Sequence, residues 1–68
     1  MMSESYQRVQ REAEDLDAKI AGLLAFIYYS PAFEKLDEEQ RYLLRTQLRA
    51  MKVYYSILDE RLNNSSFT

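Results

Sequence analysis

The two side chains most used for catalysis near neutral pH are missing: the chain of 68 residues contains no Cys and no His. That removes the thiolate nucleophile, the commonest general base and the commonest metal ligand at once. What remains with chemical capability is a supply of six Tyr, set among nine Lys and Arg and eleven Asp and Glu. A phenol ring offers a face for stacking and a hydroxyl for hydrogen bonding, and beside cations it suits nucleobases and phosphates. Tyr6 fits that use best, because Arg8 and Arg11 follow within two turns of a helix and packing is thinnest at a helix start. For the others a packing role is the simpler expectation. Tyr54 and Tyr55 would fill contacts between copies, and Tyr28 with Tyr29 would cap the end of a hairpin.

The remaining charges carry less. Arg41, Arg45, Arg49 and Lys52 follow one another at helical spacing and form a like-charge row, which is mildly destabilising unless relieved. Either this row meets Glu12, Asp15 and Asp17, the default expectation, or it attracts an anion. The carboxylates at 12, 14, 15 and 17 would point to several sides of a helix and read as a solvated face, so no metal cage is expected. No Gly-rich phosphate loop and no apolar carboxylate pair occurs. The expectation is a protein that is not an enzyme and uses no metal or cofactor. A net charge of −2 argues against a duplex-DNA binder but leaves room for a compact anion held by a few placed cations.

The elements that must position these groups are helices. One Gly and one Pro, with abundant Leu, Ala, Glu, Arg and Gln, predict an all-α fold of one domain spanning residues 1–68. Tyr6, Val9, Ala13, Leu16, Ile20, Leu23 and Ile27 alternate three- and four-residue steps, the apolar seam of a long amphipathic helix over about 4–29. Ser3 is its partial cap, lacking the Glu or Gln that would complete a capping box. Gly22 costs such a helix about 1 kcal/mol, and the expected reason for it is close approach of another helix rather than a kink. Ser30-Pro31 ends the element and caps a short helical turn over 31–35, whose Phe33 and Leu36 close the end of the hairpin. Asp37 then caps a second long helix over about 38–62, with Gln40 three residues on and Glu38 and Glu39 complementing the helix dipole. Asn63 and Asn64 are the stop, through the left-handed conformation Asn tolerates, and residues 63–68 form a frayed tail.

Two long helices joined by a short bend make an antiparallel hairpin. The second has the seam Leu44, Leu48, Met51, Tyr55, Leu58 and Leu62, and beside it another stripe, Leu43, Ala50, Tyr54 and Ile57, with Val53 between the two. One seam pair cannot cover both stripes, and a two-helix hairpin supplies only about 3–5 kcal/mol by itself. Homo-oligomerisation is therefore expected. The longest apolar run, residues 20–29, is too short to span a bilayer, and no basic segment precedes it in the manner of a signal peptide. A soluble cytosolic protein is the expectation.

Several short motifs occur in order over residues 5–62: Tyr6-Gln7-Arg8-Val9, Leu16-Asp17-Ala18-Lys19-Ile20, Phe33-Glu34-Lys35-Leu36, and Gln47 with Met51 and Tyr54. Together they resemble a family of very small phage proteins that includes the anti-CBASS sponges. The resemblance implies a compact helical homohexamer in the host cytoplasm. Such a protein binds the cyclic oligonucleotide messengers of bacterial anti-phage signalling and sequesters them without chemistry. It also implies site residues. Tyr6 would stack on a base, Lys19 would contact phosphates, Arg8 belongs to the motif, and Arg61 matches a residue of a separate site for cyclic trinucleotides. Tyr6 and Lys19 are thirteen residues apart, nearly 20 Å along one helix, so one pocket can hold both only across subunits or across a bend. The composition suits a second reading too, a small structural or protein-interaction module with no nucleotide ligand. Single-strand binding through the row at 41–52 is a third reading, weakened by the net charge.

Overall fold

The computed structural model describes residues 4–64. They form two helices of 26 residues, α1 (Glu4–Tyr29) and α3 (Glu38–Asn63), joined through the four-residue helix α2 (Pro31–Glu34). The two seams meet. Val9, Ala13 and Leu16 pack on Leu58, with Met51, Tyr55 and Leu62 alongside. Ile27, Phe33 and Leu48 form a second cluster, flanked by Leu23, Leu24, Phe26, Leu36 and Leu44. Early α1 thus lies on late α3 and late α1 on early α3, which makes the hairpin antiparallel. Ile20 touches both clusters and joins them.

The bend is built from local chemistry. The Ser30 hydroxyl accepts from the Ala32 amide at 3.2 Å, and Pro31 takes the first helical position, where a missing N–H costs nothing. Asp37 Oδ1 accepts from the Gln40 amide at 2.8 Å and so caps α3. Between the caps, Phe33 is completely buried and meets Phe26 edge-to-face, ring centroids 5.9 Å apart at 89°. Arg41 Nη1 reaches both the Glu34 carboxylate at 3.6 Å and the Glu34 carbonyl at 3.4 Å, tying α2 to α3.

The result is a rod of 49 × 15 × 13 Å with a radius of gyration of 15.3 Å. A compact domain of this length would have a radius near 11 Å. Among the described residues seven hydrophobic side chains are buried, and the outer apolar positions of α3 are not: Leu43, Val53, Tyr54 and Ile57 are exposed by 43–60%.

Several expectations change. A Cβ built on Gly22 meets nothing within 4 Å, so no helix of this chain approaches it. Tyr28 and Tyr29 point outward, 68% and 82% exposed; the hairpin end is closed by Phe33, which α2 swings inward. Tyr55, partly buried, packs against the first cluster within the chain. Helix α3 continues through Asn63, and Asn64 caps it in an extended conformation (φ −85°, ψ 128°), its N–H donating to the Arg61 carbonyl. The left-handed stop does not occur, because this single bond to the last turn is reached without it. The expected cap at Ser3 and the tail beyond residue 64 lie outside the described residues.

Candidate functional site

The like-charge row on α3 is mostly engaged within its own helix and α2. Arg41 binds Glu34 of α2 rather than an acid of α1. Arg45 lies over the Phe33 ring, 5.1 Å from its centroid. Arg49 donates to the Thr46 hydroxyl at 3.3 Å, and that hydroxyl donates to the Tyr42 carbonyl at 2.9 Å. Lys52 is exposed. Of the expected pairing with Glu12, Asp15 and Asp17, within the chain or between subunits, none is made within the chain among the described residues.

The α1 cations behave otherwise. Arg8, Arg11 and Lys19 line a groove of about 350 Å³ with Glu12, Asp15, Leu16 and Tyr54. Spacings of three and four residues put Arg8, Arg11, Asp15 and Lys19 on one strip of α1, beside the seam that Leu16 belongs to. Tyr54 reaches this strip from α3, and its hydroxyl donates to the Glu12 carboxylate. Among the described residues, no ion pair or side-chain hydrogen bond engages Arg8, Arg11 or Lys19. Three uncommitted cations thus border two carboxylates and one half-exposed phenol ring.

Arg8 also turns toward the open end of the hairpin. With Ser5, Val9, Glu12 and Arg61 it lines an adjoining groove of about 290 Å³. Arg61 in addition borders a third hollow, about 480 Å³, with Ile57, Glu60, Asn63 and Asn64 at the end of α3. Of the four residues expected at a site, Lys19 and Arg61 are therefore each brought to Arg8, on neighbouring grooves. Tyr6 is half-buried and lines neither. Helix α1 runs unbroken from Glu4 to Tyr29, so Tyr6 and Lys19 stay nearly 20 Å apart within a chain.

Glu12, Asp15 and Tyr54 are the groove residues that sequence reading did not place at a site, and Arg11 entered it only as a neighbour of Tyr6. The spacing of the four charges on α1 was a usable signal. Tyr54 was not, since its place opposite Glu12 follows from how the two seams interlock. The carboxylates here are all exposed, and among the described residues no group of three is placed to hold a metal ion. Among the same residues, no helix is long and apolar enough to cross a membrane.

The sequence model of the Sequestin family matches residues 3–64. No curated protein and no solved structure matches the chain significantly.

Proposed function

The chain belongs to the Sequestin family, and from that membership we propose that it is a phage anti-defence sponge. In this reading it binds cyclic di- and oligonucleotide messengers in the host cytoplasm and withholds them from their effector, doing no chemistry on them. The family's name fits sequestration. The observation that carries the ligand class is the α1 groove, where Arg8 and Lys19 stand uncommitted beside an aromatic ring. Cations supply phosphate contacts, a tyrosine face supplies base stacking, and the two together suit a ligand with two anionic phosphodiesters and two flat bases.

The reading requires a homo-oligomer, a hexamer by the resemblance. Tyr6 can join Lys19 only from a neighbouring copy, and two-fold related subunits would match the ligand's own near-symmetry. The exposed stripe of Leu43, Val53 and Ile57 supports such an assembly, since a hairpin this extended leaves apolar surface without cover. In the assembled protein Tyr6 stacks on a base, Arg8 and Lys19 hold phosphates, and Arg61 with Arg8 serves the cyclic trinucleotide site. The same stripe suits a protein partner, the reading of a small interaction module without a nucleotide ligand.

Native mass spectrometry of the full chain mixed with cyclic di- and trinucleotides reads oligomer size and bound ligand together. An oligomer carrying a whole number of cyclic nucleotides is the expected result. A folded protein that takes up none of them, and gives no heat with them in titration calorimetry, overturns the sponge reading in favour of the interaction module.

A further inference from the structure

The α1 groove contains two anions of its own, Asp15 and Glu12, and the second is the one tied across to α3. Glu12 follows Arg11 directly and lies one turn from Arg8, so its carboxylate shares the groove with the two arginines a phosphate would need. It is also held there, because the Tyr54 hydroxyl has the Glu12 carboxylate as its acceptor. A phenol hydroxyl has one proton to donate, so it cannot serve Glu12 and an incoming phosphate oxygen together. Both residues are exposed, Tyr54 by 43%, so either can move without disturbing the buried core.

We propose that Glu12 and Tyr54 form a gate on this groove: Tyr54 donates to Glu12 in the empty protein and to a ligand phosphate in the loaded one. On loading, the Glu12 carboxylate turns out to solvent, where water replaces the lost hydrogen bond. The Tyr54 ring and Leu16 then form an apolar floor beside the phosphate, and Arg8, Arg11 and Lys19 surround it. Arg11 and Tyr54 thereby join the binding residues, and Glu12 becomes the group that sets selectivity. A singly charged carboxylate ligand would gain little over the resident Glu12. A cyclic dinucleotide, with two phosphodiesters, or pyrophosphate, with two linked phosphates, presents more anionic oxygens than Glu12 and displaces it. The gate rests on the sequestering reading for the identity of the natural ligand, though not for the chemistry of the groove.

The expected sizes follow from one charge and one hydrogen bond. Removing a unit negative charge about 6 Å from a bound phosphate is worth from roughly threefold under bulk-water screening to roughly a hundredfold at the effective dielectric of a protein surface, and tenfold lies midway. Removing the Tyr54 hydroxyl takes away one bond to an ionised acceptor before loading and one after it, so the two losses nearly cancel. Titration calorimetry of the full chain with cyclic di-GMP, cyclic di-AMP and inorganic pyrophosphate tests this in three proteins: wild type, Glu12→Gln and Tyr54→Phe. Circular dichroism confirms that each variant keeps its helix content. Glu12→Gln should bind about tenfold tighter than wild type, and Tyr54→Phe, which loses a hydrogen bond in both the empty and the loaded protein, should stay within about threefold of it. For a cyclic dinucleotide that wild type binds, an affinity of Glu12→Gln within twofold of wild type, or a loss beyond tenfold in Tyr54→Phe, overturns the gate and leaves the sponge reading standing. Tighter pyrophosphate binding by Glu12→Gln, with no heat from either cyclic dinucleotide, keeps the gate and counts against that reading. No heat from any probe with any of the three proteins overturns the gate together with the sponge reading.

Discussion

Arg41, Arg45 and Arg49 on α3 and Arg8, Arg11 and Lys19 on α1 are both sets of three cations at helical spacing, yet the fold uses them in opposite ways. Near the closed end the α3 set is spent on structure: one arginine on Glu34, one on the Phe33 ring, one on Thr46. Toward the open end the α1 set borders a groove and holds no acid in an ion pair among the described residues. The cause is what lies opposite. Helix α2 brings an acid, a buried ring and a free carbonyl under the first set. Across from the second set, α3 presents Tyr54, which can bind the carboxylate of Glu12 but has no charge for the cations. The number of cations therefore says little about where an anion will bind; what faces them decides it.

The largest effect should come from breaking the closed end. Phe33→Ala removes the fully buried ring on which Phe26, Ile27, Leu48 and Arg45 converge, and should cost about 3–5 kcal/mol in chemical denaturation. A cost under about 1 kcal/mol would show that the bend is not what anchors the hairpin. Next in size is the contrast between the two cation sets. The double variant Arg8→Ala, Lys19→Ala should lose about a hundredfold in affinity for a cyclic dinucleotide, roughly 2.7 kcal/mol. Arg45→Ala, Arg49→Ala should stay within about threefold in the same titration, and equal losses in the two would erase the distinction.

The smallest effect probes the surface between them. Gly22 is exposed on α1 and a Cβ there meets nothing, so Gly22→Ala should stabilise the isolated hairpin by about 0.5–1 kcal/mol. Thermal unfolding at low concentration measures this. A lowered melting temperature that appears only as concentration rises would place a second copy against Gly22.

Much of the fold was legible before any coordinates. The apolar steps from Tyr6 to Ile27 and from Leu44 to Leu62 set both seams, and Ser30-Pro31 and Asp37 mark the breaks, because periodicity and capping depend on residues within a turn of one another. The site was legible only in part. Arg8 and Lys19 share a groove, but Tyr6 is absent from it, and Tyr54, set aside as a contact residue, is present.

What the sequence determined by itself is thus the local content of this protein: helical throughout, where the helices start and stop, which stripe of each is apolar, and which residue types are missing from its chemistry. The tertiary structure decided which charges remain free, which tyrosines point inward and whether Gly22 has a neighbour. These depend on residues more than thirty positions away in the chain, such as Tyr54 against Glu12, and on the register in which two seams interlock. A one-turn shift of α3 would keep every helix and every cap, and would give the α1 cations a different face to meet.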